Sequence, residues 1–158
     1  MKRTLFIIIT IAFSTIASSQ INPNALGLRF GGSNSFGAEI SYQRGLSNEN
    51  RVEVDLGIRS KSTYSAFALT GIYQWVWPIQ DGFSWYVGPG AQIGSWNWKS
   101  DYDYRGGGGT WLALMGQIGI EYQFEIPLQI ALDLRPGVAF GDAYGDIFDL
   151  GLSLRYTF

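Results

Sequence analysis

Carboxylates and arginines recur at alternate positions along one face of several segments, and side chains in that pattern can do three kinds of chemistry: they pair, they bind metals, or they move protons. The set is Arg29, Glu39, Glu53, Asp55, Arg59, Glu121, Asp133, Arg135, Asp149 and Arg155. Glu53 with Asp55, or Asp133 with Asp149, has the makings of an acid–base pair, which needs two carboxyl groups held in different protonation states. Yet Arg59, Arg135 and Arg155 alternate with these acids on the same face, so structural ion pairs are the expected outcome. The chain has no His and no Cys. A Ser or water nucleophile therefore lacks its usual base, and no imidazole or thiolate cluster is available to a metal. No catalytic residue, metal site or cofactor is expected, and the chain is read as a non-enzyme.

A second group stands apart. Trp96, Trp98, Asp101, Tyr102, Asp103 and Tyr104 are interleaved with Lys99 and Arg105 and run into four glycines at 106–109. Aromatic and acidic side chains on a connection suit contact with carbohydrate, protein or calcium; the plainer reading is an external loop whose rings rest on a rim. Asp142 and Asp146 lack the regular oxygen-ligand spacing of a calcium loop. The glycines serve as a hinge that needs backbone freedom.

The elements that must carry these residues have period two, the mark of extended strands. Phe36, Ala38, Ile40 and Tyr42 share one face, with Gly37, Glu39, Ser41 and Gln43 on the other. Val52, Val54, Leu56 and Ile58 oppose Glu53, Asp55, Gly57 and Arg59, and Phe67 through Trp75 repeat the alternation. Pro78, Asp81 and Gly82 supply turn chemistry. Beyond them come strands through Phe83–Ile93, Leu112–Phe124, Leu128–Leu134 and Phe148–Phe158, with Pro89 the weak point of the first because it has no N–H to donate. A short opening strand near Leu26, Leu28 and Phe30 brings the number to eight. Connections on the side of the termini, at 46–50, 77–82 and 125–127, are mostly short. Those on the other side, at 32–35, 60–65, 96–110 and 141–146, include the longest, which is the asymmetry of an outer-membrane barrel.

Compartment is set by the first residues. Lys2 and Arg3 precede an apolar run from Leu5 to Phe13, followed by Ala17, Ser18 and Ser19. That order is a secretory signal peptide, assigned to residues 1–19, and the run falls short of the ~20 residues of a spanning helix. Residues 20–158 form the barrel domain, with no peptidoglycan-binding domain expected beyond Phe158. A formal net charge of −2 gives no reason to expect nucleic acid. Charged residues make up 15% of the chain and aromatic ones 16%, so the folded surface is read as facing something apolar.

Two arrangements share this alternation: a membrane barrel with apolar side chains outward, and a soluble exported lipocalin-like binding protein with them inward. The rings decide between them. Tyr42, Tyr73, Trp75, Trp77, Phe83, Trp85, Tyr122, Phe124, Tyr156 and Phe158 fall at the strand ends near the termini, and Phe30, Phe36, Phe67, Trp111, Phe140 and Phe148 at the opposite ends. Aliphatic residues hold the middles, and two aromatic belts are what membrane interfaces favour. The polar face, with glycines and charges of both signs, suits a plugged lumen.

The closing stretch, with Leu154, Tyr156 and Phe158, resembles the C-terminal signal read by the barrel assembly machinery. Residues 20–158 as a whole resemble the small OmpA/OmpX-type outer-membrane β-barrel family. The resemblance implies an all-β, eight-stranded antiparallel up-and-down transmembrane β-barrel in the bacterial outer membrane, in contact with its lipid. A structural or surface-interaction role through external loops follows, with an extracellular protein or glycan as the ligand class. A narrow porin-like or apolar-ligand transport barrel is the alternative.

Overall fold

The computed structural model describes residues 22–32, 37–99, 107–142 and 145–158. The leader assigned to 1–19 lies outside them, as do Phe36, Asp101, Tyr102, Asp103, Tyr104 and Arg105. Eight strands follow in order: β1 (Asn24–Gly31), β2 (Ala38–Gly45), β3 (Asn50–Ser60), β4 (Tyr64–Gln80), β5 (Phe83–Trp98), β6 (Gly108–Gln123), β7 (Leu128–Gly141) and β8 (Gly145–Thr157). Each pairs antiparallel with the next, and β1 pairs with β8, so the sheet closes on itself. Closure leaves no edge strand, and every strand has a partner on both sides within the ring.

Local chemistry explains the connections. β4 and β5 are joined by Asp81 and Gly82 alone, with φ of 48° and 86°. Positive φ at both positions is the type I′ hairpin, whose twist matches that of the strands, and Asp-Gly tolerates it. A Cβ on Gly82 would also stand 2.7 Å from the Gln123 carbonyl oxygen, so this position excludes a side chain on two grounds. Pro89 does not end β5, but pairing with β4 lapses beside it, between Ile72↔Gly90 and Trp75↔Val87. The β6–β7 ladder lapses likewise near Pro136, between Met115↔Gly137 and Ile118↔Leu134. Both are places where a missing N–H interrupts a ladder that resumes in the same register on the far side, whereas the β4–β5 register shifts by one between Pro78 and Gln80, next to the hairpin.

The wall has an apolar outside. Leu114 is 58% exposed and Leu132 47%, and Leu28, Ile40, Leu69, Ile93, Ile118, Leu152 and Leu154 are exposed with them. Glu53, Asp133 and Arg135 point the other way and are buried. Rings gather on the outer wall near the termini: Trp77 stacks on Trp85 at 4.6 Å, and Phe83 meets Tyr122 at 4.6 Å. Phe30, Phe67, Phe140 and Phe148 are exposed toward the other end. Trp111 does not join them. It has the parity of the buried Ala113 and Met115, and its ring covers Gly94 on the inside, where a Cβ would come within 2.1 Å. Assigning it to the outer belt ignored that its neighbour Leu112 already holds the outward position.

Candidate functional site

Inside the barrel, side chains from neighbouring strands meet because the register sets like parity against like. Arg29 lies opposite Glu39, Gln43 opposite Glu53, and Arg135 opposite Asp149. Such cross-strand pairs on one face are the units from which a sheet surface is built.

Glu53, with no exposed surface, is the centre. Its Oε1 accepts from Arg135 Nη2 at 2.7 Å and Gln117 Nε2 at 3.1 Å, and its Oε2 from Arg155 Nη2 at 2.8 Å and Gln43 Nε2 at 2.5 Å. Arg135 also donates to Asp55 Oδ2 at 2.5 Å, and Arg155 Nε to Ser41 Oγ at 3.0 Å. Toward the outer end Arg29 donates to Asp133 at 2.7 Å and Asp149 at 2.7 Å and pairs with Glu39 at 3.3 Å. Asp149 in turn accepts the Gly32 N–H at 2.8 Å. Toward the turns Arg51 grips Glu121 with both Nη atoms, at 2.9 and 2.6 Å, and donates Nε–H to Gln74. Gln74 Nε2 reaches Gln117 Oε1 at 2.5 Å, linking the two halves. Taking such charges out of water costs several kcal/mol per ion, which only close, multiply bonded geometry offsets.

Of the ten charged residues singled out from sequence, Arg29, Glu39, Glu53, Asp55, Glu121, Asp133, Arg135, Asp149 and Arg155 lie in this network. Arg59 sits higher, where it hydrogen-bonds Tyr64. Sequence reading missed Arg51, which it left unassigned between the turn at 46–50 and the strand begun at Val52, although 51 shares the parity of 53 and 55. It also passed over the uncharged members Gln43, Gln74 and Gln117. Small residues make the room: Gly151 lies under the Arg29 guanidinium, where a Cβ would fall 2.3 Å from Nη2, and Gly119 under the Tyr86 ring, at 2.4 Å.

The acid–base candidates are committed to arginine. Glu53 and Asp55 share Arg135, while Asp133 and Asp149 share Arg29. A cavity of about 40 Å³ opens at the turn end beside Arg51, Ser84, Glu121 and Gln129, enough for a few waters. Among the described residues no group of three or more His, Cys, Asp or Glu side chains is placed to hold a metal ion.

At the end opposite the termini the same inward face turns aromatic. Trp111 donates its indole N–H to Gln92 Oε1 at 3.1 Å, and Gln92 Nε2 donates to Thr70 Oγ1 at 2.9 Å. Above them Trp96 and Trp98 meet edge to face at 5.7 Å, and Tyr64 meets Trp98 at 6.0 Å. Trp96 and Trp98 were expected on a loop, but β5 extends to Trp98 and presents them from a strand.

No protein-family model matches the chain, and no curated protein matches it in sequence. Solved structures do resemble it in fold. Neisserial surface protein A, from Neisseria, superposes with a TM-score of 0.59 at 15% identity, over 85% of this chain and 94% of that one. The N-terminal β-barrel domain of Pseudomonas aeruginosa OprF gives 0.60 at 17% identity, over 85% and 96%. The fold is that of the small eight-stranded barrels of the OmpA/OmpX type.

Proposed function

We propose that this chain is a small integral β-barrel of the bacterial outer membrane, non-enzymatic, with a lumen plugged by its arginine–carboxylate network and a structural or surface-interaction role exercised from the end opposite its termini. One observation carries the reading: the outward side chains of a closed barrel are apolar, with Leu114, Leu150 and Phe148 each more than half exposed. Soluble monomers rarely expose contiguous apolar patches beyond a few hundred Å², and this wall is apolar on strand after strand. In hydrocarbon it is the favourable face, and ring closure supplies the partners that each backbone N–H and C=O needs there. On this reading residues 1–19 direct export, and the barrel assembly machinery reads Leu154, Tyr156 and Phe158.

Fractionation tests it. The protein is expected in the membrane pellet, released by detergent, and shifting on a gel between unheated and boiled samples. Recovery in the soluble periplasmic fraction without detergent overturns the membrane assignment. Conductance tests the plug: in a planar bilayer no open-channel steps are expected, and steps of defined size would replace the plug with a narrow pore.

A further inference from the structure

Aromatic belts on a membrane barrel are explained by headgroups, and that explanation fails for Tyr64, Trp96 and Trp98. Their parity places them on the inward side: 64 alternates with the outward Phe67 through the buried Ala68 and Thr70, and 96 and 98 continue the face of Ser84 and Tyr86. They cannot reach lipid. Nor do they fill a core, since Trp98 is 43% exposed and the other two are half-buried.

Their arrangement is that of a walled corner, with Trp98 as its floor. Trp96 stands 82° from Trp98, and Trp98 stands 72° from Tyr64, so neighbouring ring planes form open corners. Backbone bonds hold the strand tips that bear them: Lys61 N–H donates to the Tyr64 carbonyl at 2.8 Å, and Lys99 N–H to the Thr63 carbonyl at 2.9 Å. Cations flank the rings. Lys61 Nζ lies 5.7 Å from the Tyr64 ring centroid, Lys99 Nζ donates to Ser60 Oγ at 3.2 Å, and Arg59 bonds Tyr64. Among the described residues the acid at this rim is Asp142, which already accepts the Thr110 N–H at 2.8 Å.

We infer that this mouth is a binding site for acidic saccharides, in which the sugar's C–H face lies on Trp98, with Trp96 and Tyr64 standing as walls at its edges, and its carboxylate or sulfate meets Lys61 and Lys99. Indole rings offer the flat apolar surface that one side of a pyranose presents, and a pre-ordered corner loses little entropy on binding. Complementary charge gives selectivity over neutral sugars. The inference rests on the proposed function in one respect, that this end of the barrel faces the outside.

The test uses the whole folded protein in detergent micelles, with trigalacturonate as the acidic probe and maltotriose as the neutral one, followed by tryptophan fluorescence and calorimetry. Saturable binding of trigalacturonate is expected, at least tenfold tighter than maltotriose. Trp98→Ala should weaken it at least tenfold, while Trp98→Phe, which keeps a flat ring, should retain most of it. The double variant Lys61→Ala/Lys99→Ala should bind the two probes alike, and Trp85→Ala, on the outer wall, should bind as the parent does. No saturable binding, equal binding of both probes by the parent, or an unaffected Trp98→Ala variant overturns the site. The heat-dependent gel shift separates the two readings: an intact shift without binding removes the saccharide site alone, and a parent without the shift removes the barrel assignment and the site with it.

Discussion

Two stretches of one inward face, the ion-paired lumen and the aromatic mouth, obey the same alternation and hold opposite chemistry. Glu53 and Arg29 have no exposed surface and are bonded on all sides. Trp98, on the same side of the wall, keeps 43% of its surface open. Parity therefore says which side of the sheet a residue faces, and height along the strand says what it meets there. Around Glu53 and Arg29, away from the small cavity at the turn end, a buried charge is answered by an opposite one; at the mouth no such constraint acts, and apolar rings can stand open without weakening the wall.

The sharpest way to break this contrast is to remove a charge from the lumen. Arg135 pairs with Glu53, Asp55 and Glu39. Arg135→Ala leaves those carboxylates buried with less compensation and is expected to cost roughly 3–5 kcal/mol, read as a lower melting temperature in detergent and a lower urea midpoint from vesicles. Asp133→Ala should act in the same direction through Arg29. An unchanged melt for both would reject the plugged lumen.

The outer wall gives the next largest effect. If the wall faces lipid as proposed, Leu114→Arg puts a charge into hydrocarbon at an expected cost of about 2–4 kcal/mol. The same change on a water-facing wall would stay within about 0.5 kcal/mol, so the urea midpoint in vesicles distinguishes the two solvents directly. A smaller loss is expected from Gly119→Ala, whose new methyl would press on the Tyr86 ring. Overpacking of that kind costs about 1–3 kcal/mol, and restoring space with Tyr86→Phe should return only part of it, because the contact includes ring carbon as well as the hydroxyl.

How much of this was legible in the sequence follows from what each signal measures. Alternation located the eight strands and the inward set, because a strand's two faces differ in every second residue. It also contained Arg51 and Trp111, both at strand ends: Arg51 fell between the turn ending at 50 and the strand begun at Val52 and was not assigned, and Trp111 was read by its type instead of its parity. Gln74 and Gln117 were invisible because an uncharged amide on a polar face looks like filler, and only the register shows that they bridge Arg51 to Glu53. Pairing partners such as Arg29 with Asp133, which lie 104 positions apart, depend on barrel closure and have no local signature.

The smallest expected effect is the one that separates the mouth from the lumen most cleanly. Trp98→Ala deletes the largest side chain at the outer tip of β5, and deletion of a buried tryptophan would cost about 3–5 kcal/mol. Trp98 instead meets Trp96 and Tyr64 by ring edges and stays open to solvent, so its loss should change stability by no more than about 0.5 kcal/mol. Measured by urea unfolding beside Arg135→Ala, a small effect means that the ring is not held there by the needs of the fold. A loss comparable to Arg135→Ala would mean that the mouth is an upward extension of the core, and the difference between the two stretches would then be one of composition alone.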